Sequence, residues 1–442
     1  MTTKTLGARI APALLLTLGF AFALGLSACD LAVDDPNATT EVDAFNTRDG
    51  LLAATAGLQA QYNDAAYGAL VLTTGITSRE LAADNTFANL LELDAGGAAL
   101  DPSNANLTGY FREMYQTIGL ASQIIEGAQT TETVEDALEA RLVALGEFYK
   151  GAAIGALALG FSEVALDVSA DGPVSYVGNQ AAFAAAADLM ESAEGRLAGA
   201  ATSAAFDSVV PAGFDLLNSI RACRARYALL AGDLGEALAA AGRVDPGATS
   251  VFAYDGVTPN PLHRAISPAF GQPSFAVRDD LGVAGAEAGD GRVAYFTEPD
   301  PDLSVNGYPI EVATGFIVGG DVSGLPVYIP DEMVLIRAEV LARQGDPAGA
   351  VAAINAVRTD TDDPFGLAPY AGGTSQQALL DEIYRNRALE LYLQGLRLAD
   401  ARRLGQGEPD TADPFRRTRN FYPFPRQERL SNPDSTPADP AI

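Results

Sequence analysis

The chain has 442 residues, 57 of them Asp or Glu against 28 Lys or Arg, for a formal charge of −29 at neutral pH. So negative a surface repels phosphate backbones and anionic lipid, which excludes nucleic acid as a natural partner. One histidine and two cysteines, with no CxxC, leave no Cys/His zinc site, and a hydrophobic share of 48% is ample for a large core.

Residues 1–28 hold two cations, Lys4 and Arg9, and no acid. The apolar run from Ile10 to Leu26 would span about 25 Å as a helix, short of the ~30 Å hydrocarbon core of a bilayer. A positive start, an apolar middle and small residues after it describe a secretory signal peptide. Its end, Leu26-Ser27-Ala28-Cys29, resembles the lipobox of bacterial lipoproteins. That resemblance implies that the Cys29 thiol takes a diacylglyceryl group and becomes the first residue after cleavage. Residues 29–44, with "DDPNATT", then read as a lipidated tether, and the membrane is reached through the lipid alone. Cys223 is left without a partner, and its helical context "SIRACRARYALLAG" marks it as a small core residue.

From residue 45 the pattern is mainly helical and rich in alanine. Asn46 or Thr47 is a plausible N-cap for "RDGLLAATAGLQA". Farther on, Tyr115, Ile118, Ala121, Ile124 and Ile125 form one stripe at three- and four-residue spacing. The run from Thr133 to Leu166 predicts a long helix interrupted by Gly151, Gly155 and Gly160, whose charges Glu147, Lys150 and Glu163 argue against a membrane span. "NQAAFAAAADLMESAEGRLAGA" predicts another helix.

Two stretches share a layout. Those beginning at Ala225 and Ala338 each reach a Gly-Asp pair seven residues on (Gly232-Asp233, Gly345-Asp346) and continue into a second alanine-rich helix. This is the plan of a tetratricopeptide-like hairpin. Between them, residues 245–330 are rich in Gly, Pro and aromatics and lack helical period, so long loops with a few short strands are expected over the helical body. A long irregular insertion of this kind points to function.

Near the C-terminus the residues become specific. "EIYRNRALELYLQGLRLADARRLG", residues 382–405, carries Arg387, Glu390, Leu391, Gly395, Arg397, Asp400, Arg402 and Arg403 at the spacing of the helix signature of SusD/RagB nutrient-binding lipoproteins. It departs at Asn386, Gln394 and Leu398. "FYPFPRQERLSNP" is similar to the closing motif of that family through Pro423, Pro425, Glu428, Asn432 and Pro433, and "YFREMYQTIGLASQIIE" resembles its N-terminal helix segment. On the residues alone, Arg387 with Glu390 and Arg397 with Asp400 are three apart on a helix and suited to ion pairs. Glu390 and Asp400 are not read as a glycosidase pair: one helix would separate them by about 15 Å, and neighbouring arginines would hold both ionised.

The resemblance implies residues 45–442 as a single SusD-like domain of tetratricopeptide-like helix pairs. It further implies a cell-surface lipoprotein of the outer membrane, without enzyme activity. Such a protein would capture an oligomeric nutrient, a glycan first of all, and pass it to a SusC-like TonB-dependent transporter. Import of peptides, or a helical scaffold for protein partners, are the alternatives. The ligand face implied by the family draws on N-terminal loops and the central irregular region, which makes Arg79, Asp84, Asn85, Phe87, Tyr110 and Tyr308 the candidates. The chain has no tryptophan, so stacking on sugar must come from its 15 Tyr and 19 Phe. No cofactor is expected. "DTDD" (360–363) starts like a calcium loop but has Phe365 where the turn needs glycine, and Asp300 with Asp302 could serve only an irregular structural calcium site. His263 reads as a loop histidine.

Overall fold

Thr47 opens the first helix, α1 (Arg48–Ala60), by accepting the Gly50 amide at 3.1 Å, as the capping rule predicts. The computed structural model describes residues 44–168, 174–267, 269, 273–305, 308–360 and 366–442. Cys29, the tether up to residue 43, residues 361–363 of the calcium-like loop and the side chains of Asp300, Asp302 and Tyr308 lie outside the described residues. Ala44–Ile442 form one unit.

A π-helical stretch, Gln61–Ala66, joins α1 to α2 (Tyr67–Thr77), followed by β1 (Leu81–Ala83) and α3 (Ala88–Ala95). The long helices α4 (Ala105–Thr130) and α5 (Asp136–Gly160) come next. On α4 the stripe residues Ile118, Ala121 and Ile124 are fully buried, and Tyr115 and Ile125 are half-buried. Helix α5 is long and apolar enough to cross a membrane by length and composition, yet it lies inside the protein. Its glycines are contact points: a Cβ on Gly160 would fall 2.8 Å from the Tyr110 ring, and one on Gly155 would strike Tyr227.

β2 (Glu163–Ala165) pairs antiparallel with β3 (Tyr176–Gly178), which leads into α6 (Asn179–Leu197); α7 (Ala204–Asp207) follows. The first predicted hairpin is α8 (Leu216–Ala231) with α9 (Leu234–Ala241). Its Gly232 takes the left-handed conformation at φ 89, which ends α8, and the Asp233 carboxylate accepts the Glu236 amide at 2.9 Å, which starts α9. Cys223 sits on α8, 2% exposed.

The central region holds β4 (Val251–Phe252), α10 (Pro261–Ile266), β5 (Phe275–Arg278), α11 (Gly291–Phe296), β6 (Thr297–Val305), β7 (Tyr308–Ala313) and β8 (Leu325–Pro326). Its strands β5, β7 and β6 join β1 in an antiparallel sheet of order β1-β5-β7-β6. His263 is not in a loop: it lies buried on α10, whose N-terminus is fixed by Asn260 accepting two backbone amides at 3.0 Å.

The second hairpin is α12 (Pro330–Arg343) with α13 (Pro347–Arg358), turned by Gly345 at φ 79 and capped by Asp346 on the Gly349 amide at 2.9 Å. Arg226 of α8 clamps the buried Glu332 of α12 through two bonds of 2.7 and 2.6 Å, which ties the hairpins together.

The signature segment differs from the single helix expected over 382–405. It forms α14 (Gln376–Glu390) and α15 (Arg397–Arg403), separated by a turn with Leu393 at φ 55 and Gly395 at φ 74. The Glu80 carboxylate holds that turn by accepting the Leu393 amide at 3.0 Å. The break changes every predicted ion pair. Arg387 bonds Asp400 at 2.8 Å, a contact that one straight helix would place about 20 Å apart. Glu390 pairs instead with Arg292 at 3.4 Å, and Arg397 donates to the carbonyls of Leu281 and Ala388. Asp400 also takes Arg403 at 2.8 Å, and Arg403 reaches Glu339 of α12. The last helix, α16 (Arg426–Ser431), carries the closing motif.

Candidate functional site

The six predicted ligand residues do not converge. Arg79 is 4% exposed and serves the fold: its guanidinium donates to the carbonyls of Arg416, Asp94 and Thr411 and pairs with the Asp94 carboxylate at 3.0 Å. Those bonds hold Arg79 at φ 68, a conformation that costs a non-glycine residue energy. Tyr110 is fully buried and donates to the carbonyl of Ala156. Neither can touch a ligand, and sequence could not tell their burial. Asp84, Asn85 and Phe87 do share a surface loop after β1, where Asn85 accepts the Phe87 amide at 3.2 Å and the Phe87 side chain is 59% exposed. Tyr308 belongs to the other end of the sheet: through Val277, Glu311 is level with Leu81, so β7 begins before the start of β1, whereas the Asp84 loop follows the end of β1.

A different place gathers the chemistry. One face of α4 presents Thr108, Phe111, Arg112, Tyr115 and Gln116, the helical spacing that puts side chains on a single side. Opposite stand Val168, Val174 and Tyr176 around the β2–β3 pair, and Pro425, Gln427, Glu428 and Asn432 on and beside α16. Together they line a cleft of about 400 Å³, within the range of small-ligand sites. Its floor is aromatic. The Phe111 and Tyr115 rings lie 4.6 Å apart, Phe111 backs onto Phe161 at 5.2 Å, and Tyr176 stands edge-on to Phe424 at 5.7 Å.

The polar groups are fixed in place. The Ala165 amide donates to the Tyr115 hydroxyl at 3.0 Å. The Tyr176 hydroxyl donates to Glu428 Oε1 at 2.6 Å, and Asn432 Nδ2 donates to the same oxygen at 2.7 Å. Burial pushes both phenols up, and for Tyr176 the bond to Glu428 raises it further, so both keep their protons at neutral pH. Arg112 pairs with Glu113, and Asp167 sits 3.3 Å from Lys150. The arrangement offers an aromatic lining for C–H groups and a rim of amide, hydroxyl and carboxylate groups for hydroxyls. Among the described residues the lining holds no nucleophile paired with a base, and no cluster of His, Cys, Asp or Glu could hold a metal ion.

A second cleft of about 410 Å³ lies over the central region, between Thr249–Val251, α11 and Pro326–Pro330. The signature Glu390 lines it, yet its partner Arg292 is already held by Asp290 at 2.7 Å and by Asn386 at 3.1 Å. Tyr295, 37% exposed, is its outward aromatic.

Of the residues that form the first cleft, Tyr115 was legible only as a stripe member and Glu428 only as a motif match. Phe111 and Tyr115 at i, i+4 on a face beside the Ile118 stripe were the available signal. Nothing local marks Tyr176, which meets Glu428 across 252 residues of chain.

Residues 331–437 match the SusD family model. No match is found among curated proteins. Among solved structures, the fold is similar to a SusD superfamily protein of Bacteroides thetaiotaomicron VPI-5482 at 15% identity and a TM-score of 0.67, covering 89% of this chain and 99% of that one. Surface glycan-binding protein A of Bacteroides thetaiotaomicron, solved with laminarihexaose, is similar at 15% identity and a TM-score of 0.65 over 89% of this chain and 99% of that one. NanU of B. fragilis is similar at 13% identity and 0.65, over 92% and 99%. The mainly helical architecture of paired helices is thus that of SusD-like structures.

Proposed function

Taking as premise that residues 331–437 match the SusD family and that the described body has the SusD fold, we propose that this protein is a glycan-binding lipoprotein of the outer surface. It is anchored through Cys29 and hands oligosaccharide to a SusC-like TonB-dependent transporter, without altering the sugar. The observation that carries the binding step is the cleft between α4 and α16, which Phe111, Tyr115 and Tyr176 line beside the Glu428 carboxylate. Aromatic faces bury the C–H side of a pyranose, and the fixed polar rim orients its hydroxyls. The glycan-binding neighbour solved with laminarihexaose supports the same reading of the ligand class.

A glycan array probed with the detergent-solubilised full chain tests the ligand, and Tyr176→Ala tests the place. Binding to an oligosaccharide that falls about five- to tenfold in the variant is the expected outcome, because one stacking ring contributes on the order of 1 kcal/mol or slightly more. Binding to peptides and to no glycan would replace this reading with peptide import. Co-purification of a TonB-dependent barrel tests the hand-over, and labelling of intact cells with [³H]palmitate, lost on Cys29→Ala, tests the anchor.

A further inference from the structure

The charges of the α4–α16 cleft are not balanced alike, and the imbalance bears on which glycans it admits. Three charged side chains line it. Arg112 is matched by Glu113 and Asp167 by Lys150. Glu428 has no cation within ion-pair distance among the described residues, since its neighbour Arg429 is engaged by Asp439 at 2.5 Å. Its two internal hydrogen bonds, from Tyr176 and Asn432, both fall on Oε1 and leave Oε2 without one. The cleft wall therefore carries a carboxylate oxygen with unused acceptor capacity and a negative charge without an ion-pair partner, beside aromatic rings.

We propose that this cleft selects uncharged oligosaccharides over anionic ones, with Glu428 as the specificity-determining residue. The inference rests on the reading of the cleft as a sugar site. A sugar hydroxyl is a donor and completes Glu428 with a charge-assisted hydrogen bond. A uronate, sialate or sulfate ester brings a second anion to a partly desolvated carboxylate, and the one cation in the lining, Arg112, is already shared with Glu113. The charge of −29 on the whole chain adds a long-range bias of the same sign, which salt screens, whereas the contact at Glu428 is short-range and much less screened.

The test uses the full chain and neutral hexasaccharides (laminari-, malto-, cello- and mannohexaose), each paired with the hexauronate made by oxidising its primary hydroxyls. Neutral members are expected to bind about tenfold tighter or more than their uronates. Glu428→Gln keeps an amide oxygen for Tyr176 and Asn432 and removes the charge, so it should narrow that ratio about tenfold. Glu132→Gln, just past the far end of α4 and roughly 24 Å along it from Gln116, should leave the ratio unchanged. A melting curve confirms that each variant is folded. Uronates that bind as tightly as their neutral partners, through a site sensitive to Tyr176→Ala, would overturn the charge rule and leave the cleft as a sugar site. A ratio unmoved by Glu428→Gln would overturn the role of that residue. Glycan binding indifferent to Tyr176→Ala, or no binding to any member, would remove the sugar site itself and the inference with it.

Discussion

Two regions carry motifs of the same family, and they use carboxylates in opposite ways. In the α14–α15 segment, Asp400 is buried and held by Arg387 and Arg403, while Glu339 beside them is held by Arg403 and by Arg343 at 2.8 Å. In the closing motif, Glu428 lines a cleft and is bonded only by a phenol and an amide. The first set pairs each carboxylate with arginine and is enclosed in the body, out of reach of a ligand. What separates the two carboxylates here is the presence of a matching cation, since motif membership is common to both.

The largest effect should come from the closed network. Asp400→Asn leaves the buried Arg387 guanidinium without its counter-charge and takes one of two from the half-buried Arg403, and should cost about 3–5 kcal/mol in urea unfolding. The same change in Glu428 should cost far less. If Asp400→Asn proves nearly neutral, the contrast between the regions collapses.

Acid should separate them next. Burial alone would raise the Asp400 and Glu339 carboxyls, but the arginines beside them outweigh it and hold both below the usual carboxylate range. A depressed folded value means stability that is fully present above the unfolded value near 4 and is lost as pH falls through the folded one. The urea midpoint should therefore hold from pH 7 to about pH 5 and fall below about pH 4, with a shallower fall in Asp400→Asn. A midpoint that rises on acidification would contradict the pairing.

Smaller effects belong to the cleft. Tyr115→Phe takes away the acceptor of the Ala165 amide and should cost about 1 kcal/mol in the same unfolding measurement, with the ring left in place to stack. Arg112→Ala, at an exposed pair, should change stability by less than about 0.5 kcal/mol. A cost above 2 kcal/mol there would make the cleft wall part of the core.

The same contrast explains what the sequence made legible. The Gly-Asp hairpins were readable because cap and turn act within four residues: Gly232 and Gly345 end one helix, and Asp233 and Asp346 start the next. The order of motifs gave the fold of the body. The break between Glu390 and Arg397 escaped because Gly395 is its one local sign, while the grip of Glu80 on Leu393 comes from 313 residues away. Arg79 and Tyr110 looked available because polar and aromatic residues near a helix end read as surface, and only packing shows them enclosed. The cleft forms where α16 docks against α4, so no single stretch announces it.

Cys223 has a practical consequence. It is 2% exposed on α8, and burial pushes its thiol up to about 11. Thiol reagents act on the exposed thiolate, which this site withholds at neutral pH. If Cys29 is acylated as proposed, a cysteine placed at the exposed Gln427 would be the one reactive handle for maleimide dyes. An environment-sensitive fluorophore there, at the lip of the cleft, would report ligand arrival in a chain that has no tryptophan of its own to do so.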